Sequence, residues 1–380
     1  MLFFFGTRPE AIKLAPVIKE LNKHPDRFLV KVCVSAQHRE MLDQVLNFFD
    51  INPDFDLNIM KPDQDLFDVT ANMVSGIKKI LIEDRPDWVI VQGDTTTTFV
   101  GALGAFYEKI KVAHVEAGLR SFHKHAPFPE EINRVMTTHL ADLHFAPTLR
   151  AKENLLRESI PPDKICLVGN TSIDALFLCL GKLSDRKPTE FRGIDFRKKI
   201  ILVTGHRRES FGRPFENICQ ALKTIANHPG AEIVYPVHLN PNVRRPVLKV
   251  LKDISNVHLI EPLDYPSFVW LMQKSYLVLT DSGGVQEEAP SLGKPVLVMR
   301  GVTERTEGID AGTAKVVGTD SDRIVNETRR LLDDGEEYAR MAKAVNPYGD
   351  GQASRKIAAI LQHVSIVKDW LGLTIFGNPC

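Results

Sequence analysis

Acidic residues in the first half of the chain stand just after predicted strands or at a helix start. Asp94 and Glu116 each follow a short apolar run, and Glu130 and Glu131 follow Pro129 where a helix is predicted to begin. A partly desolvated carboxylate can take a proton from carbon, and a second acidic group can protonate the opposite face or the leaving group. The four residues are therefore candidate acid–base catalysts. Each alone is more simply explained as a surface charge or a helix cap, and Asp94 is placed to cap the helix near Thr95.

A glycine-rich turn in the second half of the chain predicts a phosphate-binding site. Ser282, Gly283 and Gly284 follow an apolar strand and open a helix. Glycine lets backbone N–H groups approach an anion, and the helix start adds its positive dipole end. Glu288, about one and a half turns further on, is placed to accept hydrogen bonds from ribose hydroxyls. Together these features predict a nucleoside diphosphate ligand, and a purely structural strand–turn–helix is the alternative.

Basic residues accompany both regions. Arg8 and Lys13 lie at the start of the first predicted helix, and His206 follows a strand in the second half with Arg207 and Arg208 beside it. Cationic side chains neutralise a diphosphate and donate hydrogen bonds to it, so both groups of basic residues are candidates for binding it. A histidine that only makes local hydrogen bonds at the start of a helix is the alternative for His206.

Alternating strands and helices must position these residues. Short apolar runs alternate with segments whose apolar residues recur about every 3.6 positions. The main predicted strands cover residues 2–5, 30–35, 88–91 and 112–115, then 200–204, 234–237, 257–260, 277–280, 296–299 and 315–317. The pattern restarts after a polar stretch at residues 182–199. It predicts two doubly wound parallel α/β sheets, with binding loops at the carboxyl ends of the strands.

Composition narrows the class of protein. A chain of 380 residues, 43% hydrophobic and 25% charged, is long enough for two globular domains. Lys and Arg together number 48, as do Asp and Glu, so no charge bias favours nucleic acid or a membrane surface. Five scattered cysteines suit reduced thiols. Because charges follow the apolar residues 2–5 at once and no apolar run reaches membrane-spanning length, we expect a cytoplasmic protein.

Motifs for common cofactors are missing from the sequence. The histidines and cysteines lack metal-ligand spacing, so no metal site is predicted. Neither a G-x-G-x-x-G dinucleotide motif nor a Walker lysine loop occurs, which disfavours hydride transfer and ATP hydrolysis. We therefore predict that the protein uses no cofactor.

Seven motifs, in chain order, resemble those of the non-hydrolysing bacterial UDP-N-acetylglucosamine 2-epimerases. They are GTRPEAIK at 6–13, QHREMLDQ at 37–44, GDTTT at 93–97, EAGLR at 116–120, PEEINR at 129–134, GHRRE at 205–209 and DSGGVQEE at 281–288. The resemblance runs from Gly6 to about Gln352. It implies the glycosyltransferase B-type fold, in which two Rossmann-like domains surround a central cleft and the C-terminal helix returns to the first domain.

The resemblance also implies roles for individual residues. Substrate-binding positions match Arg8, Lys13, His206, Phe268, Ser282, Gly283, Gly284, Glu288 and Arg305, with Phe268 beside the uracil. Catalytic positions match Asp94, Glu116, Glu130, His206 and Lys13. Which carboxylate is the base and which the acid stays open. We expect residues 1–168 with 353–380 to form the catalytic domain and residues 169–352 to form the UDP-binding domain.

Three places depart from the family pattern. Thr306, next to Arg305, stands where the family usually has proline, which is expected to loosen that loop. Phe128 stands where tryptophan is frequent. Asp63 and Gln64 match an Arg-Gln pair that some relatives use in an activating second substrate site, so the resemblance gives no support for such activation here.

The activity implied by the resemblance is the reversible interconversion of UDP-N-acetylglucosamine and UDP-N-acetylmannosamine, by anti elimination of UDP and its re-addition. Three alternatives stay open: a retaining UDP-sugar glycosyltransferase, a hydrolysing 2-epimerase and a regulator that only binds nucleotide sugars. A homodimer, and a role in supplying N-acetylmannosamine for surface polysaccharides, are expected from the resemblance alone.

Overall fold

The computed structural model describes residues 1–36, 39–61, 63–183 and 189–371, with side chains up to residue 364. Two residues of the second motif, 37 and 38, and part of the polar stretch 182–199 therefore lie outside the described residues. The chain divides into two compact units. Unit 1 is Met1–Ala175 together with the chain from Gly349 onward, and unit 2 is Leu176–Tyr348. The domain limits expected from the sequence stay a prediction.

Unit 1 is built on a parallel sheet. Its strands are β1 Leu2–Phe5, β2 Lys31–Val34, β3 Phe55–Asp56, β4 Trp88–Gln92, β5 Lys111–Val115, β6 Leu143–Ala146 and β7 Ile165–Leu167. Its first helices are α1 Arg8–Leu21, α2 Arg39–Phe48, α3 Leu66–Asp84, α4 Thr96–Tyr107, α5 Glu130–Leu140 and α6 Leu149–Arg157, and α7 Thr171–Lys182 leads out of it. The strand order is β3-β2-β1-β4-β5-β6-β7. Every side chain of β1 is fully buried, as expected of a strand covered by helices on both faces.

Unit 2 repeats this plan. Its strands are β8 Lys199–Thr204, β9 Ala231–Pro236, β10 Val257–Ile260, β11 Leu277–Thr280, β12 Val296–Val298 and β13 Ala314–Val316. Its helices are α8 Arg213–Ile225, α9 Pro241–Leu251, α10 Tyr265–Lys274, α11 Gly283–Glu288, α12 Thr306–Asp310, α13 Ser321–Asp333 and α14 Gly335–Ala342. The strand order is β10-β9-β8-β11-β12-β13, with parallel pairing throughout.

Both sheets reverse their strand order at one point, which confirms the predicted doubly wound α/β class. The reversal lies between β1 and β4 in unit 1 and between β8 and β11 in unit 2. Ligands of such sheets bind outside the carboxyl ends of the strands at this point. The turns after these four strands are therefore the first places to look for function.

The C-terminal helix α15, Ala353–Leu371, belongs to unit 1 and packs against α1, as predicted. Asp174 holds its start. The Asp174 carboxylate accepts hydrogen bonds from the backbone N–H of Ala353 at 3.2 Å and of Ser354 at 2.8 Å, and from Ser354 Oγ at 2.6 Å. A carboxylate suits the positive end of a helix dipole, so this contact fixes the returning chain. Burial nevertheless raises the pKa of Asp174.

The prediction of reduced thiols holds for Cys33, Cys179 and Cys219, which are buried and free. Cys380 lies outside the described residues. No helix in the described part of the chain is long and apolar enough to cross a membrane.

Two histidines occupy the centre of the unit 1 sheet. His114 of β5 and His144 of β6 are partners in the strand register, and both are fully buried. His114 Nε2 lies 2.7 Å from the Gly93 carbonyl oxygen, whereas Nδ1 of His114 and both ring nitrogens of His144 have no hydrogen-bond partner among the described residues. Burial lowers the pKa of His114 to about 4 and that of His144 to about 3.

These depressed pKa values predict acid sensitivity. The unfolded chain protonates histidine near pH 6.5, so below that pH the unfolded state binds more protons than the folded state. Stability is therefore full above about pH 6.5 and falls as the pH drops toward 4, by up to about 1.4 kcal/mol per pH unit for each histidine. We expect the free energy of unfolding in urea to fall less steeply for His144→Leu than for the wild type as the pH is lowered from 7 to 4.5. An equal slope would contradict the assignment, and the same change at exposed His139 is the control.

Candidate active site

The carboxyl edge of the unit 1 sheet gathers most of the predicted catalytic residues. Arg8 is the first residue of α1, directly after the β1 turn, and Lys13 lies further along the same helix. Asp94 follows β4 and Glu116 follows β5. Since β1, β4 and β5 are neighbours in the sheet, these residues share one edge of it.

Glu116 is held in an unusual backbone conformation. Its φ of 64° is left-handed, a region that costs a residue with a side chain on the order of 1–3 kcal/mol. The side chain is buried and ion-paired with Lys13 Nζ. Asn170 Nδ2 donates a second hydrogen bond to Glu116 Oε2, at 3.2 Å. A cation and an amide donor on one carboxylate favour its ionised form, which is the form that can accept a proton.

Asp94 pairs with a buried arginine. Arg134 Nη2 of α5 binds Asp94 Oδ2, and Arg134 Nη1 lies 3.1 Å from Glu131 Oε2. The alternative role of Asp94 as a helix cap is wrong, because Thr95 is the N-cap of α4 and accepts the Thr98 N–H at 3.1 Å. The side chain of Asp94 is therefore available to the site, with a fixed cation behind it.

The two glutamates that open α5 have different surroundings. Glu131 accepts the backbone N–H of Ser121 at 3.0 Å and of Phe122 at 2.9 Å, and so holds the loop before the helix. Glu130 makes no such contact. Its Oε2 is buried without a hydrogen-bond partner in the described part of the chain. A buried polar atom without a protein partner is uncommon and suits contact with a ligand.

Glu10 is a residue of this edge to which the sequence analysis gave no role. It is 1% exposed and accepts the backbone N–H of Gly6 at 3.0 Å and of Thr7 at 2.7 Å. It also accepts the hydroxyls of Thr95 at 2.6 Å and Thr98 at 3.2 Å. Burial raises its pKa, which these hydrogen bonds oppose. The Thr7-x-x-Glu10 spacing of a capping box could have signalled it, and its effect is to join the turns after β1 and β4.

In unit 2, a buried aspartate organises the turn after β8. Asp281 Oδ2 accepts the backbone N–H of His206 at 2.7 Å and of Arg207 at 2.8 Å. Asp281 Oδ1 lies 3.3 Å from His206 Nδ1. Partial burial lowers the pKa of His206 and the Asp281 carboxylate opposes that effect. Asp281 was missed as a functional residue, although its position directly after β11 was the available signal.

The glycine turn after β11 lies against the side chain of Arg305. Ser282 is the N-cap of α11, and its N–H donates to Thr280 Oγ1 at 2.9 Å. A Cβ built on Gly283 would come within 2.9 Å of Arg305 Cζ, so a larger residue here would displace the guanidinium. The guanidinium and the backbone N–H groups of this turn concentrate positive charge, which suits an anion.

Arg305 is fixed from several sides, so the loosening expected from Thr306 is not seen in its contacts. Its Nε lies 3.0 Å from Glu287 Oε1, its Nη1 2.6 Å from Glu304 Oε1, and its backbone N–H donates to Thr303 Oγ1 at 3.2 Å. Burial acts to raise the pKa of Glu304, but nearby arginines outweigh it and the result is about 2. The carboxylate thus stays ionised and holds the guanidinium in place.

Glu288 and Phe268 lie on neighbouring parts of unit 2. Glu288 is the last residue of α11 and is buried. Phe268 is half-buried on α10, which packs against the short turn that follows α11. Their roles beside the ribose and the uracil stay predictions.

Comparison with known proteins decides the family. A family model described as UDP-N-acetylglucosamine 2-epimerase matches residues 19–362. This chain belongs to that family. It is 56% identical to the UDP-N-acetylglucosamine 2-epimerase of Escherichia coli K12 over 370 residues, covering 96% of this chain and 98% of the relative. The predicted family and the assignment as a UDP-N-acetylglucosamine 2-epimerase are confirmed.

Solved structures of this epimerase family agree with the fold. The UDP-GlcNAc 2-epimerase from Neisseria meningitidis, bound to UDP-GlcNAc, has a TM-score of 0.89 and 51% identity, covering 95% of this chain and 99% of that one. An S. aureus protein solved with UDP has a TM-score of 0.87 and 45% identity, covering 98% of both chains. The glycosyltransferase B-type assignment is thereby confirmed.

The structure of this family member brings the predicted residues together in two sets. Unit 1 holds Arg8, Lys13, Asp94, Glu116 and Glu130 around one sheet edge. Unit 2 holds His206, Phe268, Ser282, Gly283, Gly284, Glu288 and Arg305 around the turns after β8 and β11 and on nearby helices. Within each set, the partners that orient these residues were not predicted.

Proposed function

We propose that this chain interconverts UDP-N-acetylglucosamine and UDP-N-acetylmannosamine reversibly and without net hydrolysis. The observation that carries the proposal is the pair of carboxylates Glu116 and Asp94, each ion-paired with a largely covered cation at the carboxyl edge of one sheet. A regulator that only bound nucleotide sugars would have no need of two such carboxylates. The relatives solved with UDP-GlcNAc and with UDP support the choice of ligand.

The chemistry starts from a difficulty at carbon 2 of the sugar. No neighbouring carbonyl acidifies the proton there, so its removal alone would leave an unsupported carbanion. Loss of UDP from carbon 1 solves this, because the electron pair of the breaking C2–H bond forms a C1–C2 double bond as the C1–O bond breaks. In the return step a UDP oxygen adds to carbon 1 and a proton adds to the opposite face of carbon 2. Atoms balance without water or an oxidant.

The proposal gives the two units different tasks. In unit 1, one carboxylate of Asp94, Glu116 and Glu130 takes the proton and an acidic group supplies it on the other face. In unit 2, His206, the Ser282–Gly284 turn and Arg305 stabilise the negative charge that develops on the departing UDP. Arg8 and Lys13 add positive charge. Which carboxylate serves which face is left open.

The decisive experiment is NMR of the purified protein with UDP-N-acetylglucosamine in heavy water, without any sugar acceptor. We expect a mixture of the two UDP-sugars at equilibrium, with deuterium at carbon 2 of both. Free N-acetylmannosamine accumulating with UDP would instead identify a hydrolysing epimerase. Unchanged substrate would point to a glycosyltransferase or a binding protein. Epimerised product without deuterium would rule out solvent exchange through this route.

A cytoplasmic location, a homodimeric assembly and the supply of N-acetylmannosamine for surface polysaccharides belong to the same proposal. The location rests on the sequence, and the assembly and the polysaccharide role rest on the family resemblance.

A further inference from the structure

Asn170 is a buried side chain that contacts the predicted base from a distant part of the chain. It lies between β7 and α7 and is 3% exposed. Its Oδ1 accepts the backbone N–H of Ser172 at 3.0 Å, and its Nδ2 donates to Glu116 Oε2 at 3.2 Å. The first contact identifies the oxygen, so the NH₂ group must face the carboxylate.

The hydrogen bond from Asn170 goes to the same oxygen of the Glu116 carboxylate as the ion pair with Lys13. Lys13 Nζ and Asn170 Nδ2 both bind Glu116 Oε2, whereas Oε1 points toward Gly93, where an added Cβ would lie 4.0 Å away. Two donors on one oxygen fix the side-chain rotamer. They also stabilise the ionised form, because hydrogen bonds to a charged acceptor are the strong ones.

The segment that carries Asn170 is itself fixed by the returning chain. The chain leaves unit 1 within α7 and returns at Gly349. A Cβ on Gly349 would lie 3.4 Å from the backbone nitrogen of Asn170, and Asp174 of α7 binds the start of α15. Asn170, whose amide contacts Glu116, therefore lies in the part of unit 1 where the chain leaves the unit and later re-enters it.

We propose that Asn170 is a positioning residue that keeps the Glu116 carboxylate ionised and in a single rotamer for the epimerisation. This inference rests on the proposed function, because it takes Glu116 as part of the catalytic machinery. A purely structural role is the competing explanation, since the contact with Ser172 resembles a helix cap at the start of α7.

The groups around Glu116 determine how the proposal is tested. They include Lys13 from α1, Asn170 from the segment before α7, His114 from β5, and, acting on His114, Arg120 and Arg134. Asn170 is the member of this set whose side chain does not titrate. A substitution there leaves every cation in place, so a change in the pH dependence of turnover reports on Glu116 and the new group.

The test is the pH profile of kcat for Asn170→Asp. Aspartate keeps the acceptor for the Ser172 N–H and replaces only the NH₂ that faces Glu116. The new like charge raises the apparent pKa of the carboxylate pair, so we expect the acid limb of kcat to move up by about one pH unit or more. At neutral pH, kcat should fall by about tenfold or more while the calorimetric affinity for UDP is unchanged.

Asn170→Ser is the second variant, for the case in which Asn170→Asp does not fold. Its hydroxyl can still cap α7 but is too short to reach Glu116, so the acid limb should move in the same direction by a smaller amount. Asn154→Asp is the control, because Asn154 is also buried in unit 1 and donates to the Gly118 carbonyl at 3.0 Å. It should leave the acid limb in place.

An acid limb that stays at the wild-type pH in both Asn170 variants would overturn the inference and leave Asn170 as a helix cap. The wild type is measured first in heavy water. If it does not epimerise, the proposed function fails; if it epimerises and the limb does not move, only the role of Asn170 fails.

Discussion

Glu116→Gln is expected to lower turnover by a factor of about 10² to 10⁴ while leaving UDP affinity unchanged. Glutamine keeps the size of the side chain and an acceptor for Lys13, but a neutral amide cannot take a proton from carbon. Because the residues proposed to bind the nucleotide lie mainly in unit 2, the affinity for UDP should not depend on this charge. Turnover is measured by NMR in heavy water, and UDP affinity by calorimetry.

Glu232→Gln is the matched control. Glu232 is also buried and paired with a lysine, with Lys198 Nζ at 2.7 Å, but it lies in β9 away from the turns that carry the site. Loss of turnover in both variants would show that removing any buried, lysine-paired glutamate damages the fold. Wild-type turnover in Glu116→Gln would remove Glu116 from the chemistry and leave Asp94 and Glu130 as the candidates.

Glu288→Ala is expected to weaken UDP binding by about 1.5 to 3 kcal/mol, the scale of hydrogen bonds to a charged group. This corresponds to roughly 10- to 150-fold in the dissociation constant. Deoxygenating the ribose should cost the wild type a similar amount. The variant has already lost the partner, so it should hardly distinguish UDP from its deoxyribose analogues, because two changes that remove one interaction do not add.

Calorimetric titration of both proteins with both ligands measures this coupling. If the losses of binding free energy from the substitution and from the deoxyribose add up, Glu288 acts on the α11 helix or on Arg305 rather than on the ribose. Glu337→Ala is the control, because Glu337 is a buried glutamate of unit 2 whose Oε1 lies 2.6 Å from Arg340 Nη2 on α14. That variant should keep the wild-type preference for the ribose.

The sequence predicted the architecture well where strands are continuous apolar runs. The strands at 2–5, 257–260 and 277–280 have the predicted limits, and the other predicted strands differ by one to three residues at an end. Three strands, β3, β6 and β7, were not predicted. Pairing with neighbours in the sheet, which a linear pattern does not contain, makes them strands.

The candidate site was predicted only in part, for a related reason. Asp94, Glu116 and Ser282 stand one or two residues after strands, a position that sequence reasoning can recognise. Their partners could not be found in this way. Arg134 meets Asp94 across 40 residues of sequence and Asn170 meets Glu116 across 54. Asp281 meets His206 across 75. Such contacts arise only when the strands are ordered in the sheet.

The membership of α15 in unit 1 has a consequence for the order in which the protein can fold during synthesis. Ala353, Ile357 and Leu361 are buried, and the helix packs on α1, so unit 1 lacks part of its core until residues 353–361 have left the ribosome. Unit 2 is one continuous segment that is synthesised before them. We therefore expect unit 2 to fold first on the nascent chain, and unit 1 to stay partly assembled until α15 has been made.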